Sequence, residues 1–324
     1  MTHCKSHEPC PGAPCTHYIR AENKLEAGLC SLPGEFRCTE AIRVKSMKLS
    51  HSAVQNYLRC KRYYWYTNIK GIRVLSHMVS RALKMGGLWD KVQGGASNRE
   101  IREYIGKIQI DPMDAARVRA VWRGYREFEM VPDTDGLIGT QEHFEYHHWD
   151  SEAGDVIVQG YYDRLHTDHF AECKFSSRPE NYLTAWGITS QVGTYFLANP
   201  ELKYCVMEVT RAPQQRAKED ETPEELEKRI YNDVLKRPSY YFQGFNRDKR
   251  VYGIKFYRAD FNLDELQNRY THIIREIKQS AKHESFYQNN TACLMYGTEC
   301  DFKPVCVTGC VSQEIFTYRD KSDN

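Results

Sequence analysis

Gly160-Tyr-Tyr-Asp163-Arg-Leu-His166-Thr-Asp-His169-Phe-Ala-Glu172-Cys-Lys174 is the stretch on which the reading of this chain turns. It has the texture of two short strands joined at a tight turn. With the turn centred on Thr167-Asp168, Asp163 falls opposite Glu172, where side chains stand ~5 Å apart. Alternation then puts Glu172, Lys174 and Asp163 on one face. Two carboxylates so close repel unless a cation lies between them. Oxygen ligands of that kind suit Mg²⁺ or Mn²⁺. Such an ion activates a water and polarises a phosphodiester, with Lys174 orienting the water or stabilising the transition state. The plain alternative is a solvated hairpin face carrying a cross-strand salt bridge.

Working outward, strands are predicted over 138–148, 155–165, 169–176, 203–210 and 251–258. Helices are predicted from Ser50 or Ser52, over 77–93, from Asp111-Pro112, over 182–198, from Thr222-Pro-Glu-Glu225 as a surface helix, and over 263–283. Ser, Asp and Thr cap helix starts, and Thr222 with Glu225 spells a capping box. Strands interleaved with helices indicate an α/β core around a mixed central sheet flanked by helices. Residues 1–45 lack periodicity and are rich in Cys, His, Pro and Gly, so they read as a separate module ahead of a domain over 46–324.

Composition narrows the classes. Lys and Arg number 45 and Asp and Glu 43, a formal charge of +2, so a nucleic acid would be held by a local patch rather than by bulk charge. No stretch approaches the ~18 apolar residues of a membrane span, and the polar start is unlike a signal peptide. No membrane partner is expected. Twelve cysteines without an export signal argue for metal in a reducing, cytoplasmic interior rather than for disulfides. The pairs Cys10/Cys15 and Cys30/Cys38 have spacing close to a zinc ribbon, which suggests a structural Zn²⁺; a cysteine-rich lead with partial metal occupancy is the alternative. In the run Arg59-Cys-Lys61-Arg62-Tyr63-Tyr64-Trp65-Tyr66, Arg59, Lys61 and Arg62 suit the phosphates of a single strand. The aromatic residues fit either base stacking or the core.

Several of these motifs, in this order, resemble the PD-(D/E)XK nucleases, and within them the RecB-like and CRISPR-associated four-cysteine exonucleases. Gly160 and Asp163 resemble the family's G-x-x-D strand, and Glu172-Cys-Lys174 its E-x-K strand. Gln191-Val-Gly-Thr-Tyr195 resembles its Q-x-x-x-Y helix, and Leu49-Ser-His-Ser through Tyr57-Leu-Arg-Cys60-Lys-Arg-Tyr-Tyr its opening helix, with Lys61 where Pro is common. Gly86-Gly-Leu-Trp-Asp90 matches the G-x-x-x-H helix with aspartate in the histidine's place, either a metal ligand or a plain surface residue. The resemblance implies a restriction-endonuclease-like core. It implies Mg²⁺ or Mn²⁺ on Asp163, Glu172 and the Cys173 carbonyl, with Gln191 and Tyr195 supporting the site. It also implies a [4Fe–4S] cluster, with Zn²⁺ the alternative, on Cys60, Cys293, Cys300 and Cys306, with Cys310 as a substitute ligand. The expected activity is exonucleolytic cleavage of single-stranded or frayed DNA. The rivals are a structure- or site-specific endonuclease, and a nonenzymatic nucleic-acid-binding factor built on metal knots.

Overall fold

A computed structural model of the protein describes residues 47–130, 135–152, 154–184, 190–295 and 298–319. Cys10, Cys15, Cys30 and Cys38, and with them the expected zinc site, lie outside the described residues. The chain divides after Met47.

A short strand β1 (Met47–Ser50) leads into α1 (His51–Arg59), α2 (Lys61–Tyr64) and β2 (Ile72–Val74). Ser50, not Ser52, is the cap: its hydroxyl accepts from the Ala53 amide at 3.2 Å. Three helices follow: α3 (Arg81–Gln93), α4 (Asn98–Ile108) and α5 (Pro112–Glu127). The helix expected from residue 77 starts later because Ser80 takes the cap and Ser76–Met78 forms a 3₁₀ turn. α4 was not foreseen. It carries a Ser97/Glu100 capping box and, at one-face spacing, Ile101, Tyr104, Ile105 and Ile108, which pack half-buried against the core, so its signals were present in the sequence. Asp111 caps α5 with Pro112 at its first position.

The sheet strands come next: β3 (Leu137–Asp150), β4 (Gly154–His166), β5 (His169–Ser176), then α6 (Glu180–Thr184), α7 (Ser190–Ala198) and β6 (Tyr204–Arg211). α8 (Pro223–Lys236), α9 (Pro238–Tyr241), β7 (Ile254–Tyr257) and α10 (Leu263–Lys282) complete the core. The terminal part holds β8 (Leu294–Met295), β9 (Thr298–Glu299), α11 (Lys303–Thr308) and β10 (Phe316–Tyr318), the last paired with β2.

The main sheet runs β1-β4-β5-β6-β7, with β3 paired to β4. β5 and β6 are parallel, while β3–β4, β4–β5 and β6–β7 are antiparallel. This is the mixed sheet flanked by helices that the sequence predicts. Tyr162, Phe170 and Met207 pack with Val192, Tyr195 and Phe196 of α7. A second core joins Trp89, Val121 and Tyr125 to Leu226, Ile230 and Val234 of α8. So α8 has a buried face on α5 beside its solvated one, and Gly124 leaves the room that Val234 fills. Among the described residues no helix is long and apolar enough to cross a membrane.

Candidate active site

The β4–β5 hairpin has the expected register, with Arg164 opposite Ala171 and Leu165 opposite Phe170. At the next step, where Asp163 would meet Glu172, the ladder stops. The Cys173 amide donates instead to Asp163 Oδ2 at 2.8 Å. A side-chain carboxylate thus takes the acceptor place of a strand carbonyl, and the two strands splay around it. Gln141 Nε2 donates to Asp163 Oδ1 at 3.1 Å from a left-handed residue of β3 (φ 54°). Gln141 was not singled out from the sequence, because nothing in it marks the irregularity that brings this exposed side chain to Asp163.

Glu172 is 1% exposed. Its Oε1 accepts from the Lys174 ammonium and from Gln191 Nε2, the latter at 2.7 Å. Its Oε2 is buried with no partner. Burial raises the Glu172 carboxyl to about 7; Lys174 opposes the rise and Asp163 adds to it. Burial also works against the Lys174 ammonium, but the Glu172 carboxylate outweighs it and keeps the amine charged. Gln191 Nε2 is 2.9 Å from Tyr195 Oη, so the two residues one turn apart act as one bracket on Glu172. Burial, then the Glu172 charge, pushes the Tyr195 phenol up, so it stays protonated.

Asp90 stands on the solvent-facing side of α3, yet it feels the hairpin. Its surroundings are crowded enough that lost hydration, followed by the Asp163 charge, raises it to about 6 against the pull of Lys174. The Cys173 thiol faces the other side of the sheet, 3.6 Å from Glu208 Oε2, so only its backbone can serve this site. There Glu208 pairs with buried Arg164, an arrangement the sequence did not reveal because it needs β6 alongside β5. Among the described residues, no three His, Cys, Asp or Glu side chains are gathered tightly enough to hold a metal ion as they stand. At the hairpin, Lys174 and Gln191 engage Glu172 Oε1, and the Cys173 amide and Gln141 engage the two Asp163 oxygens, which leaves Glu172 Oε2.

The second group of expected ligands lies elsewhere. Cys60, Cys293, Cys300 and Cys306 together line one small hollow of about 10 Å³, with Tyr63 and Phe302 in its wall. All four are free thiols and half-buried, and the Asn289 amide donates to Cys60 Sγ at 3.4 Å. Burial pushes the Cys300 and Cys306 thiols up. Cys310 is exposed and does not line the hollow. The basic residues beside it are engaged internally. Lys61 pairs with Glu276 at 3.2 Å and lies against the rings of Tyr57 and Tyr287, while Arg59 lies over Tyr63 and Arg62 over Trp65. Of the aromatic run, Tyr64 and Tyr66 are buried. Comparison with known proteins finds no family model and no curated protein sequence that matches this chain.

Proposed function

We propose that this protein is a metal-dependent deoxyribonuclease with a restriction-endonuclease-like core, acting as an exonuclease on single-stranded or frayed DNA. The observation that carries the reading is the splayed hairpin, which joins Asp163, Glu172 and Lys174 and leaves one buried oxygen of Glu172 unsatisfied. A buried carboxylate oxygen without a partner costs ~1–3 kcal/mol or more, which a cation would recover. Oxygen donors from Asp163 and Glu172, with Asp90 at the rim, fit Mg²⁺ or Mn²⁺. A bound divalent ion would supply an acidified water and a polarised phosphodiester.

The chain's own residues do the rest. Lys174, held charged, places a cation beside the reacting phosphate. Gln191 and Tyr195 keep Glu172 aimed at the site. The Cys173 amide fixes Asp163, so its carboxylate cannot swing away when charge changes nearby. The four thiols at the hollow are of the type that selects an iron–sulfur cluster or Zn²⁺, and they would have to draw closer together to hold either. Such a clasp would tie the segment after α10 to the end of α1. The carboxylate oxygens already engaged within the protein favour one rival, a nucleic-acid-binding factor whose hairpin is scaffold.

The deciding experiment is cleavage of end-labelled linear single-stranded DNA and of a closed single-stranded circle, in Mn²⁺ or Mg²⁺, with Lys174→Ala beside the wild type. Loss of the linear strand alone, absent in the variant, is the expected result. Cutting of the circle would establish an endonuclease. No cutting by anaerobically purified, metal-loaded protein would leave the binding factor.

A further inference from the structure

Asp163 has a neighbour on each side in the sheet, and on the β3 side that neighbour is Gln141. Thr140 pairs with Arg164 and Glu142 with Tyr162, so Gln141 and Asp163 share a rung of the ladder. Gln141 lies in the left-handed region at φ 54°, a conformation that costs free energy in a residue with a Cβ. From there its exposed side chain donates through Nε2 to Asp163 Oδ1 at 3.1 Å. The other donors on the two carboxylates are of a different kind. Cys173 holds Asp163 Oδ2 with a backbone amide, while Lys174 and Gln191 hold Glu172 Oε1 from half-buried positions. Among these donors Gln141 is the exposed side chain, the one whose end can turn without moving backbone or packed residues.

We propose that Gln141 is a side-chain ligand of the divalent cation at this site, giving its amide oxygen Oε1 to the ion beside Asp163 Oδ1 and Glu172 Oε2. The assignment rests on the preceding reading for the presence of Mg²⁺ or Mn²⁺. An amide end carries a donor and an acceptor on one carbon, and a half-turn about its last bond exchanges them. Facing a bare carboxylate, the group presents Nε2; facing a cation held by that carboxylate, it presents Oε1. Adjacent oxygens around an octahedral Mg²⁺, bonded at ~2.1 Å, stand roughly 3 Å apart. The terminal amide atom of Gln141 already keeps that separation from Asp163 Oδ1, so the exchange needs no shift of the chain. The rest of the site points the same way. Glu172, 1% exposed, leaves Oε2 buried without a partner, and the amide of the next residue, Cys173, ties Asp163 to it. Among the described residues no third His, Cys, Asp or Glu is gathered with these two carboxylates. A neutral amide oxygen supplies a third ligand without adding to the repulsion between them.

The test measures binding of Mn²⁺ alone, by isothermal titration calorimetry on the full chain without nucleic acid. Wild type, Gln141→Ala and Gln141→Glu are compared, with Asp163→Ala to identify the ion bound at this site, and metal-free thermal unfolding checks that each is folded. Gln141→Ala should weaken the Asp163-dependent binding at least about tenfold, since loss of even an outer partner of a metal site costs about 10–100-fold. Gln141→Glu should bind at least as tightly as the wild type, because a carboxylate offers the ion both an oxygen and a charge. Its metal-free form should melt below that of Gln141→Ala, with two carboxylates facing each other on one rung. A residue that merely holds Asp163 by donating a hydrogen bond gives the reverse order, because glutamate cannot donate; Gln141→Glu binding no better than Gln141→Ala therefore overturns the ligand role. Unchanged affinity in Gln141→Ala, or tighter binding once Asp163 Oδ1 is uncovered, overturns it too and leaves the cation site standing. Absence of Asp163-dependent Mn²⁺ from the wild type and both Gln141 variants removes the cation, and with it both the ligand and the metal-dependent reading.

Discussion

Replacing Glu172 by glutamine should stabilise the metal-free protein increasingly as pH rises. The folded protein holds the Glu172 proton up to about 7, against 4.5 for an ordinary glutamate, chiefly because the residue is buried. A carboxyl whose folded pKa is raised contributes stability that is present below the unfolded value and lost as pH climbs through the folded one. Integrating between pH 5 and pH 8 with those two values gives a loss of about 2–3 kcal/mol in the wild type. Glutamine has no proton to lose and escapes it. Glu172→Gln also removes the carboxylate that holds Lys174 charged; burial then pulls the Lys174 ammonium down in the variant, which costs the variant most at low pH and widens the gap in the same direction. His51, depressed to about 4, titrates in both proteins and drops out of the difference. The assay is urea unfolding of both proteins at pH 5, 6, 7 and 8, free of divalent ions, with linear extrapolation. The gap between the two should open by about 2–3 kcal/mol in favour of the variant, and Mg²⁺ at pH 8 should then stabilise the wild type alone. Parallel curves across the whole range would refute the claim that burial governs this carboxylate.

Gly124→Ala should destabilise the protein, because a Cβ there would stand 2.3 Å from Val234 Cγ1 where α5 meets α8. Overpacking costs ~1–3 kcal/mol, while alanine returns up to about 1 kcal/mol of helix propensity. In a Val234→Ala background only the Cβ contact at 3.2 Å remains, so the same substitution should cost far less, as denaturant midpoints will report. If the thiol hollow holds the proposed iron–sulfur cluster, anaerobically purified wild type should carry iron and visible absorbance that Cys60→Ser and Cys306→Ser lose. Cys310→Ser should keep both, since its side chain does not line the hollow.

Much of the molecule was legible because its signals are local. The turn at Thr167-Asp168, the Asp111-Pro112 start and the Thr222/Glu225 box depend on residues three or four apart, and each stands where the sequence predicts it. The hairpin register follows from counting along two strands. α4 was legible in the same local terms, from its Ser97/Glu100 box and the i, i+3, i+4, i+7 spacing of Ile101, Tyr104, Ile105 and Ile108, and was missed in spite of them.

The sequence by itself determined the order of the main strands, the mixed α/β class and the register of the β4–β5 turn, since a hairpin is short-range geometry. What only the tertiary structure decided are contacts between segments far apart in the chain. Asp163 accepts a strand amide because β4 and β5 part there, Gln141 reaches it from β3, and Asp90 feels its charge from α3. His51 lay inside a quoted motif, and only the packed molecule brings Ser190 of α7 against its ring. The raised carboxyl of Glu172 is of the same kind: burial belongs to the packed molecule, and no spacing in a sequence records it.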